Sequence, residues 1–221
     1  MNGITPFTIP VSDLTNLGQD RAVEFFRRLL WAEAARVGIG RHLIDVPQCI
    51  NIGDGGIDAF VKDANPSIDE VIPGGTSGFQ IKSSDLPPSD CKKELHQEKD
   101  LNEPIKPEIK RILDEGGIYI LVLFADISKI QRTNREKHLK DELVRLGYKN
   151  PKFRLYTANQ LAAFAERFLG LLTWFKNELS QCLPYSSWAQ NRDIITPQKF
   201  VYDNERGEWA EEVRKILRNP N

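Results

Sequence analysis

The run GGIYILVLFADIS at residues 116–128 limits the fold of this chain more than any other segment. It is short, almost wholly apolar and rich in β-branched residues, the pattern of a strand covered on both faces. Such strands sit in sheets with helices on each side, so the neighbouring segments should be helical. DRAVEFFRRLLWAEAARVG, 20–38, repeats Val23, Phe26, Leu30 and Val37 near one side at helical spacing and stops at Gly38. TNREKHLKDELVRL, 133–146, reads as a charged helix. FRLYT at 153–157 reads as a further strand, and ANQLAAFAERFLGLLTWFKNEL as a long closing helix. Helices alternating with buried strands predict an α/β fold, a mixed β-sheet flanked by helices.

A chain of 221 residues holds one sizeable α/β domain, or a domain with an appendage. Residues 1–19 are Pro-rich and polar and read as an N-terminal arm. Residues 39–56 read as strand-like pieces with turns, and 90–115 as a polar helical stretch interrupted by Pro104 and Pro107. The main domain is expected over 20–183. From 184 to 221 the character changes to a turn-rich connector ending in an amphipathic helix, whose Trp209, Val213 and Ile216 need cover. Either that helix leads to a further domain of a longer chain, or it docks on its own.

No apolar run approaches the roughly 20 residues of a membrane span, and the N-terminus lacks the layout of a secretory signal. Cys49, Cys91 and Cys182 are widely spaced, without a CxxC pair. That argues against a zinc ribbon or a disulfide framework and suits a reducing, cytoplasmic setting. The formal net charge of −1 means that no global basic field advertises a nucleic-acid partner.

The chemistry concentrates in INIGDGGIDAFVKD, 50–63, and FQIKSS, 79–84. In GIDAFVKD, Ile57, Ala59 and Val61 should face one way and Asp58 and Phe60 the other. A loop carrying Pro66, Pro73, Gly74 and Gly75 then predicts a hairpin. On its second strand Gln80 and Lys82 project to one face, while Phe79 and Ile81 point into the core. Pairing the strands gathers a carboxylate, an amide and an ammonium at one spot. A hard cation such as Mg²⁺ takes one or two protein oxygens there and keeps several waters. Asp58 supplies the charged oxygen, and either the Gln80 side-chain carbonyl or the Ile81 backbone carbonyl a neutral one. Lys82 would orient water and stabilise charge growing on a phosphate.

This arrangement resembles the core of the PD-(D/E)XK nuclease superfamily, an acid on one strand, a hairpin, then "acid or Gln, any residue, Lys". The spelling GDGGID…FQIK looks most like its Mrr-like restriction-endonuclease branch, where Gln stands in place of an acid. The resemblance covers roughly residues 20–175 by order of elements. It implies a restriction-endonuclease-like mixed sheet and hydrolysis of DNA phosphodiesters with Mg²⁺ or Mn²⁺. By motif, Asp58 would be a metal ligand, Gln80 a ligand or a contact to metal-bound water, and Lys82 the catalytic lysine. A further acid from the first helix is expected. Glu24 fits the register of the motif, and Glu33 lies within the apolar stripe, where an acid needs a reason to be. The resemblance also implies an effector module in anti-phage defence, a homo-oligomer, and a regulatory NTPase domain following it. The alternative is a nuclease-like fold that has lost catalysis at Gln80 and only binds DNA or a partner.

Other features read as ordinary. GDGG matches turn dipeptides, and neither GxxxxGK[ST] nor GxGxxG occurs. His96 and His138 are expected on solvated faces. The basic run Lys129, Arg132, Arg135, Lys137 and Lys140 is interleaved with acids, as on a solvated helix. Ser83 and Ser84, directly after Lys82, are better placed to touch a DNA backbone. Trp31, Phe164, Phe168 and Trp174 are expected in the core.

Overall fold

The structure, a computed structural model, describes residues 8–47 and 55–178 together with residues 208, 211, 212 and 215. The expectations for Asp54, Trp209, Val213 and Ile216 lie outside the described residues. The chain divides into two units, Met1–Phe175 and Lys176–Asn221. The sheet and both cores belong to the first.

In chain order the helices are α1 (Val11–Thr15), α2 (Gln19–Val37), α3 (Pro88–Lys93), α4 (Pro107–Asp114), α5 (Lys129–Arg145), α6 (Ala158–Ala165) and α7 (Leu169–Glu178). The strands are β1 (Ile44–Asp45), β2 (Ala59–Ala64), β3 (Gly75–Lys82), β4 (Ile118–Leu123) and β5 (Phe153–Thr157). They form one sheet in the order β1-β2-β3-β4-β5. The first three strands pair antiparallel, and β3–β4 and β4–β5 pair parallel. The fold is therefore α/β, with a mixed sheet flanked by helices.

Two apolar cores sandwich this sheet. On one face α2 lays down Phe25, Phe26, Leu29 and Leu30 against Phe79, Ile81, Ile120 and Val122. Phe26 meets Phe79 at a ring-centroid distance of 5.3 Å, and Phe25 packs edge-on against Phe124 at 5.8 Å. On the other face Tyr119, Leu121 and Leu123 pack with Ile109 and Ile112 of α4 and Leu139 and Leu143 of α5. Each fully buried large apolar side chain contributes roughly 1.5–3 kcal/mol, so the two layers supply most of the folding drive.

Alternation along β3 follows the expected pleat. Phe79 and Ile81 enter the first core, and Gln80 is buried on the opposite side. In β2 the outcome differs at one position. Ala59 and Val61 join the first core, but Ile57 joins the second with Phe60, because it precedes the regular strand.

Other boundaries moved for identifiable reasons. The segment read as an arm contains α1, and Ile9 and Leu14 are buried in the first core. The charged helix begins at Lys129 rather than 133, because Ser128 and Gln131 form a reciprocal capping box. The long closing helix is two helices, α6 and α7, separated at residues 166–168. The 90–115 stretch resolves into α3, a 3₁₀ turn at Gln97–Lys99, and α4.

The double glycine that opens the apolar run does two jobs. Gly116 has φ +78° and donates its N–H to the Leu113 carbonyl, while Gly117 N–H reaches Ile112 O at 2.8 Å. This Schellman closure ends α4 and launches β4. A Cβ on Gly117 would lie 2.8 Å from the Thr76 carbonyl oxygen and 2.9 Å from that of Ile112. Both are backbone atoms that cannot swing aside. Gly117→Ala is expected to lower stability by about 2 kcal/mol in denaturant unfolding; an unchanged midpoint would show that the two elements can separate at little cost.

Candidate phosphodiester site at the hairpin

The site forms where the start of β2 meets the carboxyl end of β3, the end at which open α/β sheets present their ligand-binding crevices. Asp58 is tied to β3 at both ends. Its backbone N–H donates to Phe79 O at 2.8 Å, and its carboxylate accepts from the Ile81 N–H at 2.6 Å. The turn before it is fixed by close approach. Gly56 has φ +97°, and a Cβ there would lie 2.3 Å from the Lys106 side chain. Gly55 and Gly56 thus bring the hairpin onto the segment that enters α4, and no phosphate cradle is needed to explain them.

Gln80 is 3% exposed and cannot be left unpaired in an apolar layer. Its Nε2 donates to Glu94 at 2.7 Å, and its Oε1 accepts from the Tyr119 hydroxyl at 2.7 Å. The amide orientation follows from Glu94, since an ionised carboxylate can only accept. Burial raises the Tyr119 hydroxyl well above its ordinary range, and the negative charges of Glu94 and Asp58 add to the rise. Tyr119 therefore stays a donor.

Glu94 is the carboxylate that meets Gln80 and Lys82. It is 1% exposed and lies 3.0 Å from Lys82 Nζ, 3.0 Å from Lys99 Nζ and 3.4 Å from Lys106 Nζ. Burial acts to raise its pKa, but Lys82, with Lys99 and Lys106, outweighs burial and holds it below the usual carboxylate range. Lys106 is lowered, first by burial and then by repulsion from Lys82 and Lys99, against the pull of Glu94. Around the single Glu94 carboxylate stand three ammoniums. That excess of positive charge suits a phosphate.

The two helix acids that compete for one further place in the site both pair with arginines of their own helix. Glu24 pairs with Arg27 and, at 2.7 Å, with Arg28. Glu33, 1% exposed, takes a bidentate bond from Arg36 at 2.7 and 2.8 Å, and Arg36 continues to Glu70 and thence to Arg167. That network gives the acid within the apolar stripe its partners. From the same helix it is Gln19 that reaches the site. Its Nε2 donates to Ile81 O at 2.8 Å and its Oε1 accepts from Ser83 N at 3.0 Å.

Ser83 is half-buried, Ser84 is exposed, and both follow Lys82 on the loop that leaves β3. Arg135, expected on a solvated face, is 4% exposed and clamps that loop. Its guanidinium holds both Asp85 oxygens at 2.9 Å and Leu86 O at 2.7 Å. His96 is likewise buried rather than solvated. Its Nδ1–H donates to Glu103 O at 2.7 Å and its Nε2 faces Glu142 at 2.8 Å, which pins the segment carrying Glu94 to α5. Cys91 is buried, and burial pushes its thiol up to about 12, so it offers no nucleophile at neutral pH.

A hard divalent cation takes oxygen ligands and retains waters. The Asp58 carboxylate, the Gln80 amide carbonyl and the Ile81 carbonyl are all oxygen donors, and each carbonyl has a second lone pair beyond its present hydrogen bond. In donor chemistry they fit Mg²⁺. Among the described residues no three His, Cys, Asp or Glu side chains gather as a metal-holding group, so such an ion would rest chiefly on Asp58 and water.

Set against protein-family models, curated proteins and solved structures, the chain matches none. No helix among the described residues is long and apolar enough to cross a membrane.

The pin at His96 has a pH signature. Burial acts to raise the Glu142 pKa, but hydrogen bonds from Arg145 and His96 outweigh it and lower the value. A depressed carboxyl adds stability that is complete above its unfolded value, about 4.3, and is lost as the pH falls through the folded one. The melting temperature should therefore fall as the medium is acidified below pH 5, and Glu142→Gln should shrink the difference between pH 7 and pH 4. Equal acid sensitivity in the variant would show that the pair contributes nothing.

Proposed function

We propose that this chain is a Mg²⁺-dependent endonuclease of the PD-(D/E)XK type, resembling the Mrr-like branch and hydrolysing phosphodiester bonds in DNA. One observation carries the reading. The Asp58 carboxylate accepts from the Ile81 N–H at 2.6 Å, beside the strand that carries Gln80 and Lys82, and Lys82 is 23% exposed at the carboxyl end of β3. In this reading Asp58, Gln80 and the Ile81 carbonyl hold the cation. When bound, Mg²⁺ acidifies a water and polarises a phosphoryl oxygen. Lys82 Nζ binds the non-bridging oxygen on which charge develops, where a preorganised ammonium acts more strongly than in water. Lys99 and Lys106 keep the surroundings cationic for the polyanion, and Ser83 and Ser84 lie where the flanking backbone would pass.

The wider reading is an effector module in cytoplasmic anti-phage defence. With a formal net charge of −1, capture of DNA would draw on a second copy and on a following NTPase domain. The second reading, a nuclease-like fold that binds without cutting, is favoured by one feature, the ion pair that Lys82 already makes with Glu94.

Plasmid incubation separates the two. Wild type with Mg²⁺ should nick or linearise DNA, chelation should abolish cutting, and Lys82→Ala or Asp58→Ala should lower the rate by about 10²–10³-fold. Retardation of DNA without cleavage at any protein concentration or with either Mg²⁺ or Mn²⁺ would establish the binding module instead. Matched RNA in parallel reports whether the sugar matters.

A further inference from the structure

We infer that Glu94 is the positioning residue for Lys82, and that residue 80 is a glutamine because it must hold this carboxylate. The inference deepens the nuclease reading and rests on it for its catalytic half. A lysine has four rotatable bonds, and at a strand end its ammonium would sample many places. Here it does not. Tyr119 on β4 donates to Gln80, Gln80 donates to Glu94, and Glu94 takes Lys82 at 3.0 Å. Three of the four members are on neighbouring strands in fixed register, Gly78 opposite Tyr119 and Lys82 opposite Leu123. The fourth, Glu94, is almost fully buried and has no room to turn aside.

The chain of bonds also explains the residue at 80. A carboxylate there would face the Glu94 carboxylate across a hydrogen-bond distance in a buried layer, and two like charges cannot both stay ionised so close. An amide reverses the interaction, donating to Glu94 on one side and accepting from Tyr119 on the other. The negative charge of the site thus stands on residue 94 and is handed to Lys82 through space.

The backbone around Glu94 is strained toward the same end. Glu98 and Lys99, neither a glycine, hold φ of 49° and 53°, a left-handed conformation that side chains disfavour. What that conformation delivers is Lys99 Nζ at 3.0 Å from Glu94. Lys99 at 3.0 Å and Lys106 at 3.4 Å hold the same carboxylate and fix it where it meets Lys82.

The test uses Glu94→Gln, Gln80→Glu and the double exchange Gln80→Glu/Glu94→Gln. Acetylation by acetic anhydride, read lysine by lysine by mass spectrometry, reports how firmly Lys82 is held whether or not the protein cuts DNA. Glu94→Gln should raise Lys82 acetylation several-fold while Lys129 and Lys137 on α5 stay unchanged; a merely structural role would raise all lysines together. In plasmid cleavage Glu94→Gln should lower kcat at least tenfold with KM for DNA within a factor of two. Gln80→Glu should be impaired alike, and the double exchange should recover part of both losses. Unchanged Lys82 acetylation in Glu94→Gln overturns the inference, as does a raised KM with kcat intact. If no form cuts DNA, the nuclease reading fails, and acetylation still decides whether Glu94 positions Lys82.

Discussion

The parallel pairing of β3 with β4 is the constraint on which the rest of the structure depends. It places Phe79 and Ile81 beside Ile120 and Val122 on one face, and Gln80 and Lys82 beside Leu121 and Leu123 on the other. Neither strand can then be left uncovered. A parallel connection needs a crossover, and the crossover brings α3 and α4 onto the second face while α2 covers the first. Because both faces are dry, leaving the Gln80 amide without protein partners would be costly. Gln80 finds them in Tyr119 and Glu94.

The site is built by the same geometry that builds the core. Asp58 reaches it from an antiparallel neighbour, Lys82 from the carboxyl end of a parallel strand, and Glu94 from the crossover between β3 and β4. The supporting parts come from further away, with Gln19 at the start of α2 and Arg135 in the middle of α5. Together they bracket the loop that leaves Lys82, one from each side of the sheet.

How much of this was readable from residues alone depended on the range of each interaction. The strand at 118–123, the hairpin and the shared face of Gln80 and Lys82 follow from periods of two and from unbroken apolarity, which are local properties. Glu94 was not readable, because nothing in ELHQEKD marks one acid among several as buried. Its partners are a strand upstream and a turn downstream, and only the folded chain brings them together. Glu33 shows the converse. An acid in an apolar stripe is a real signal of a buried partner, but the sequence could not say whether that partner was a cation in solution or Arg36, three residues on. His96 misled for a third reason, since a polar neighbourhood in sequence hid a fully buried ring bonded to α5.

The double attachment of Asp58 to β3 has a consequence for how this region could vary. Its amide and its carboxylate grip the main chain at Phe79 and Ile81, so the alignment of the two strands and the placing of the acid are one and the same setting. A sliding of the hairpin by two positions would preserve which residues are greasy and which are wet, yet would carry the carboxylate a full repeat away from Lys82. The molecule could pass every gross check of foldedness in that state and be silent. Correct folding and a working centre are therefore separable outcomes in this hairpin, and the aspartate's two tethers are what keep them coupled.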